Sequence, residues 1–165
     1  MFTSVILGAG KSTRMKANKS KLLFNIAGKP VISHILSSLK DAKAEHNICV
    51  INNSSAELKK ILEAEKISFA YQKILDGTAG AVKAALKSKK NSNSKILILC
   101  GDVPFITSNS IKKLVAKLKN HDAVVGTVEL ESPKGYGRIV RINNKFSSIV
   151  EEKETSFKNT RYKIR

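Results

Sequence analysis

The sequence predicts an α/β protein, three layers deep, with a mostly parallel sheet covered by helices on both faces. Three observations predict it. Short apolar runs alternate with segments of helical periodicity through about the first 128 of the 165 residues, the order that parallel strands joined by crossover helices require. The runs are continuously apolar rather than alternating, as strands buried on both faces must be. Three of the runs lead into loops, at Gly8, Asp76 and Gly101, on the carboxyl side of the strands, where such sheets bind ligands.

Residues 3–7 (T-S-V-I-L) read as a buried strand. The glycine-rich loop Gly8-Ala9-Gly10-Lys11-Ser12-Thr13-Arg14-Met15 follows it. Gly28-Lys29-Pro30 is a turn that places proline near the first turn of a helix. Over residues 31–42, Ile32, Ile35, Leu36 and Leu39 recur at helical spacing. Residues 48–51 form a second strand. Ser55 caps a helix whose apolar face is Leu58, Ile61 and Leu62, and residues 67–71 form a third strand. The loop Asp76-Gly77-Thr78 opens an alanine-rich helix ending near Lys87, and residues 89–94 are a polar surface loop. A very apolar strand at residues 96–99 runs into Gly101-Asp102-Val103-Pro104. Thr107 or Ser108 caps a helix with Ile111, Leu114, Val115 and Leu118 inward, and residues 123–128 read as a fifth strand. Residues 135–140 and 148–151 give two more. With no fixed-period repeat and no internal linker, residues 1–165 read as one domain.

Composition narrows the function classes. No run approaches the roughly 18–20 apolar residues of a membrane span, and the first residues lack the pattern of a signal peptide. The expectation is a cytoplasmic protein with no membrane partner. Thirty basic residues against 13 acidic ones give a net charge of +17. Only five of the basic residues are arginine, and aromatics make up 5%. Lysine is spread along the chain beside Asn, Ile and Ser, a codon-bias signature rather than a nucleic-acid patch. No specific nucleic acid is expected, although the field draws in phosphorylated substrates. A basic module for polyanions is the reading from a different class. Cys49 and Cys100 each sit in an apolar run and read as buried, reduced thiols, with no C-x-x-C pair for zinc. His34, His46 and His121 have no partner at metal-ligand spacing and read as structural or solvated.

The first loop carries the strongest chemical signal. Its glycines let backbone N–H groups approach phosphates. A Walker loop would need glycine where Val5 stands. A dinucleotide fingerprint would need glycine at Thr13 and an acid about twenty residues on, yet no Asp or Glu precedes Asp41. What remains is glycines followed by Lys11, Thr13, Arg14 and Lys21, and the three cations among them suit a triphosphate. Arg14 and Lys21 are the candidates to neutralise phosphate oxygens during transfer. Asp102, at a strand end, is the candidate ligand for Mg²⁺, held through water or nucleotide phosphates; capping a helix or bonding backbone amides is the equal alternative. Glu151, Glu152 and Glu154 are a carboxylate cluster, of which the last two read as solvated.

Taken in order, these segments resemble the nucleotide-sugar nucleotidyltransferases, in particular the pyrophosphorylase domain of the bifunctional N-acetylglucosamine-1-phosphate uridyltransferases. That family reads roughly L-A-A-G-K-G-T-R-M, P-K-V-L and A-G-K-P. The same places here hold Leu7-Gly8-Ala9-Gly10-Lys11-Ser12-Thr13-Arg14-Met15, Ser20-Lys21-Leu22-Leu23 and Ala27-Gly28-Lys29-Pro30. Gly101-Asp102-Val103-Pro104, Gly135-Tyr136-Gly137-Arg138-Ile139 and Ile149-Val150-Glu151 are similar to its G-D-V-P, G-Y-G-R-I and I-V-E.

The resemblance implies a Rossmann-like fold with a mixed sheet that is incomplete at the C-terminus. It implies transfer of a uridylyl group from UTP to N-acetylglucosamine 1-phosphate with Mg²⁺. Arg14 and Lys21 would grip phosphates. Leu7, Gly8, Ala9, Gly10, Gln72, Gly77 and Thr78 would face the nucleotide, Asp102 the metal, and Gly137 and Glu151 the sugar. The sequence departs from the family at Gly8 (alanine), Ser12 (glycine), Leu75 (a second base-pocket glutamine) and Ala79-Gly80 (G-H). The family also continues past Arg165, with an asparagine-bearing sugar strand, a second metal ligand and an acetyltransferase β-helix. A companion chain supplying that part is one expectation; an inactive nucleotide-binding remnant is another, with exposed apolar surface where strands are missing. A cytidylyl- or guanylyltransferase on another phosphorylated acceptor is the alternative within enzymes.

Overall fold

The computed structural model describes residues 1–10, 19–52, 56–88 and 95–152. The expectations for Lys11, Ser12, Thr13, Arg14, Ser55, residues 89–94 and Glu154 fall outside them. The chain divides into two compact units, Met1–Val124 and Val125–Arg165.

The first unit is built on β1 (Phe2–Leu7), β4 (His46–Ile51), β5 (Ser68–Tyr71) and β6 (Lys95–Cys100), a parallel sheet in the order β5-β4-β1-β6. Between β1 and β4 lie a hairpin of β2 (Asn25–Ile26) and β3 (Lys29–Pro30), then helix α1 (Val31–Asp41). Helices α2 (Ala56–Ala64) and α3 (Thr78–Ser88) make the other crossovers, and α4 (Ser108–Lys117) follows β6. The β2–β3 turn puts Ala27 and Gly28 at φ 49° and 77°, the paired left-handed geometry of a tight two-residue hairpin.

Strand periodicity sorts the core into two layers. Phe2, Ile6, Cys49, Ile51, Leu97 and Leu99 face α1, α2 and α4 through Ile32, Ile35, Leu39, Leu58, Leu62 and Ile111. Val5, Ile48, Val50 and Ala70 face α3 through Ala81 and Ala85. The alanine-rich helix therefore lies close to the sheet, and the fold is the expected three-layer α/β/α. Among the described residues one helix covers this second face, and β6, at the sheet edge, leaves Ile98 about half exposed. Cys100 lies on the same face and is exposed. The expectation of two buried thiols therefore holds for Cys49 and fails for Cys100.

Helix ends follow local hydrogen bonding. Thr107 is the N-cap of α4, its side chain accepting from the Ser110 N–H at 3.1 Å. Helices α1 and α2 end with Lys43 and Lys66 at positive φ, and the amides of Ala44 and Ile67 reach back to the carbonyls of Leu39 and Leu62. These are Schellman closures with lysine where glycine is usual, which is why no glycine announced them in the sequence.

The second unit contains an antiparallel ribbon of β7 (Arg138–Ile142) and β8 (Lys145–Val150). Asn143 and Asn144 form its turn with φ 49° and 62°. Antiparallel pairing is thus confined to two small ribbons, and the main sheet is parallel among the described residues. The expected strand at residues 123–128 is not formed: residues 123–130 carry neither strand nor helix, and Val125 and Val128 are exposed. Gly126 at its centre weakens strand propensity, and a short strand exists only where a neighbour pairs with it. No helix among the described residues is long and apolar enough to cross a membrane.

Candidate active site

The strand order creates a crevice. The chain leaves β1 toward β4 and β5, then returns to place β6 on the other side of β1. At such a switch point the loops after the two central strands diverge and leave room for a ligand. Those loops begin at Gly8 and Gly101. The sheet's ladder continues past the strand ends into them, with Gly8 N–H bonded to Val50 O at 2.9 Å, Gly101 N–H to Leu7 O at 3.0 Å and Gln72 N–H to Ile51 O at 2.9 Å. The Gly8, Gly101 and Gln72–Gly77 loops thus lie along one edge of the sheet, as their positions after strands predict.

One side chain closes the crevice from beneath. Lys21–Leu23 form a single 3-10 turn whose start is capped by Ser20, its hydroxyl accepting from the Leu22 N–H at 3.3 Å. Leu22 is fully buried. A Cβ on Gly8 would fall 2.6 Å from the Leu22 Cδ1 and 3.0 Å from Val50 O. A Cβ on Gly101 would fall 2.6 Å from the Leu22 Cδ2 and 2.7 Å from Leu7 O. Both glycines suit this packing, position 8 being one where the resembled family has alanine. Gly10 is different: a Cβ there would meet nothing within 4 Å.

The wedge carries its neighbour to the charged centre of the crevice. Lys21 Nζ lies 2.5 Å from Asp102 Oδ2, with the two side chains 29% and 54% exposed. Two residues 81 positions apart, both picked out from sequence, are thereby brought together. Cys100 adjoins them. Burial raises its thiol pKa, the Asp102 charge raises it further, and Lys21 opposes both. Cys49, beneath Gly8, is pushed up to about 12 by burial.

Around the rest of the edge, Leu7 is half-buried, Gly8 and Ala9 are buried and Gly10 is exposed. Asn52 donates to the Ala9 carbonyl at 2.9 Å and pins the loop. Gln72 is buried, and its amide donates to Asp76 Oδ1 at 2.9 Å and to Gly77 O at 3.0 Å. Gly77 has φ +95° and Thr78 opens α3, both exposed. Gly80 makes room for the Asp76 carboxylate, which occupies the space a Cβ would fill. Leu22, Ser20 and Asn52 were not singled out from sequence, and Asp76 was read only as the start of a ligand-binding loop. Of the first three, Ser20 carried a signal, as a capping residue ahead of Lys21.

In the second unit, Gly137 and Glu151 are also neighbours: a Cβ on Gly137 would lie 3.6 Å from Glu151 Oε1. Both line an open cavity of about 740 Å³ with Tyr136, Arg138 and Ile149. Glu152, expected to be solvated, is instead bonded. Its Oε2 accepts the Gly135 N–H at 2.8 Å and its Oε1 lies 3.5 Å from Arg138 Nη2. Arg138 is buried, so its charge draws in the nearest carboxylate. The expectation that His34 is structural is met: a ring nitrogen lies 2.8 Å from Ile26 O, tying α1 to the β2–β3 hairpin. His46 and His121 are exposed. Among the described residues no three His, Cys, Asp or Glu side chains group as a metal cage.

Known proteins agree with this architecture. The chain is 36% identical over 159 residues to the bifunctional protein GlmU of Buchnera aphidicola, and 37% identical over 156 residues to that of Staphylococcus haemolyticus. These alignments cover 96% and 93% of this chain and 34% of each relative, so the chain spans about a third of their length. The resemblance read from the motifs is borne out. Among solved structures, HddC from Yersinia pseudotuberculosis superposes with a TM-score of 0.75 at 25% identity, over 92% of this chain and 69% of that one. The family model of the MobA-like NTP transferase domain matches residues 4–142, most of the chain, and the protein belongs to that family.

Proposed function

We propose that this chain binds a magnesium-bound nucleoside triphosphate at the β1/β6 crevice and transfers its nucleotidyl group to a sugar 1-phosphate. UTP and N-acetylglucosamine 1-phosphate are the substrates we assign, as the GlmU relatives suggest. The observation that carries the reading is the Lys21–Asp102 contact beside the Gly8–Gly10 backbone at the switch point. A cation and a carboxylate, both accessible, stand where a triphosphate and its metal need opposite charges.

The residues present fit a divalent ion. Asp102 is a single, half-exposed carboxylate, and Mg²⁺ is commonly held by one or two carboxylates with the remaining positions taken by water and substrate phosphates. When bound, the ion neutralises phosphate charge and orients the leaving pyrophosphate. The chain's own residues do the rest. The Leu7–Gly10 backbone, Gln72, Gly77 and Thr78 face the nucleotide, with Gln72 fixed by its bonds to Asp76 and Gly77. Lys21 exchanges Asp102 for a phosphate oxygen, and Arg14 is assigned a second phosphate. Gly137 and Glu151 hold the sugar. A phosphate oxygen of the sugar phosphate attacks the α-phosphorus in line. The bond to the β-phosphate oxygen breaks, and its electron pair leaves with pyrophosphate. Catalysis is positioning and charge neutralisation, with no covalent enzyme intermediate.

The test is Mg²⁺-dependent pyrophosphate release from UTP and N-acetylglucosamine 1-phosphate. Asp102→Asn and Lys21→Ala are each expected to lower the rate about 100-fold or more. Full turnover by either variant would refute the assignment. Leu75, where the resembled family has a second base-pocket glutamine, motivates one competing reading, a different base. Stabilisation of the fold by CTP or GTP but not UTP would select it.

A further inference from the structure

We infer that Glu152 is a positioning residue for the sugar phosphate, acting through the loop at residues 135–138; this rests on the role proposed for Gly137 and Glu151. One carboxylate bridges both ends of that loop. Oε2 accepts the N–H of Gly135, whose φ is +86°, and Oε1 pairs with Arg138 at the start of β7. Arg138 Nη1 donates to the Tyr136 carbonyl from within the loop, and the Tyr136 N–H returns to Pro133 O at 3.1 Å. Gly137 is therefore held between two anchored points, beside the Glu151 carboxylate.

The two consecutive glutamates divide the labour. Glu151 lines the cavity. Glu152 turns to the loop and fixes where the Gly137 backbone stands relative to Glu151. The guanidinium is buried, with its side chain 9% exposed, while that of Glu152 is 37% exposed. A charge-assisted bond in such a setting is stronger than a neutral one, and opening it weakens the hold on a buried charge. A loop that shifts by about an ångström misplaces a bound substrate and costs a large factor in reaction.

The experiment compares the full chain with Glu152→Gln and Glu152→Ala, reading KM for each substrate, kcat, and amide hydrogen exchange of residues 135–138. Glu152→Ala is expected to raise KM for the sugar phosphate about tenfold or more while leaving KM for the nucleotide within about twofold. Exchange in the loop should rise and that of the β7–β8 ladder should not. Glu152→Gln keeps an acceptor for Gly135 and should fall between the two. A wild type that turns over, with both variants matching its sugar-phosphate KM, overturns this inference alone, whether or not the loop loosens. A wild type that turns over no nucleotide and sugar-phosphate pair overturns the functional reading, and this inference with it.

Discussion

Among the described residues, two cation–carboxylate pairs fasten loops, and they are built in opposite ways. Lys21–Asp102, in the first unit, is short at 2.5 Å and both partners reach solvent. Arg138–Glu152, in the second, is longer at 3.5 Å and its cation is buried. In the first case apolar packing sets the geometry: Leu22 wedges between Gly8 and Gly101, and the charges ride above it. In the second the charges themselves are the fastener, since one carboxylate ties Gly135 to Arg138. An exposed pair costs little to separate and can exchange partners with a phosphate or a metal. A buried pair costs much more to open and suits a loop that must keep its shape.

The largest effect should come from removing the wedge. Leu22→Ala deletes a fully buried side chain and is expected to cost about 3 kcal/mol in urea unfolding. A loss under about 1 kcal/mol would mean that the crevice is not organised by Leu22. Next, Arg138→Met should loosen the second unit by about 2 kcal/mol, visible as faster hydrogen exchange at residues 135–138 with the urea midpoint of the first unit unchanged. Arg138→Lys should not restore it, because a single ammonium cannot reach both the Tyr136 carbonyl and Glu152 as the fork does. Lys21→Met, by contrast, should change stability by less than about 1 kcal/mol. A large loss there would erase the distinction between the two pairs.

How much of this could be read from sequence follows the same division. The strands and helices of the first unit were legible because burial on both sheet faces imposes long apolar runs, and α1 and α4 keep a 3.6-residue period. Lys21 and Asp102 were legible because each stands in a loop at a strand end or beside one. Leu22 was not, since a leucine after a lysine looks like any core residue, and the glycines that pack against it at positions 8 and 101 read equally well as phosphate-approach glycines. The run at residues 123–128 misled because apolar content does not reveal whether a neighbouring strand is there to pair. Glu152 misled because adjacent glutamates look solvated until the arginine that captures one of them is found buried 14 positions earlier. Cys100 misled because an apolar strand at a sheet edge is covered on one side only.

That exposed thiol offers the finest probe of the first pair. The thiolate is the species that alkylates, so the labelling rate of Cys100 reports the local potential. Burial and the Asp102 carboxylate hold its pKa up, and Lys21 pulls it down. At pH 8, below the raised pKa, Asp102→Asn should speed labelling and Lys21→Met should slow it, read as each variant's rate relative to wild type. Cys49, buried and titrating near 12, should stay unlabelled while the fold is intact. The signs matter more than the sizes: opposite changes in the two variants require both charges to lie within reach of the thiol, as the crevice geometry has them. Equal rates in wild type and both variants would place the pair away from Cys100 and undo the description of the switch point on which the proposed nucleotide site depends.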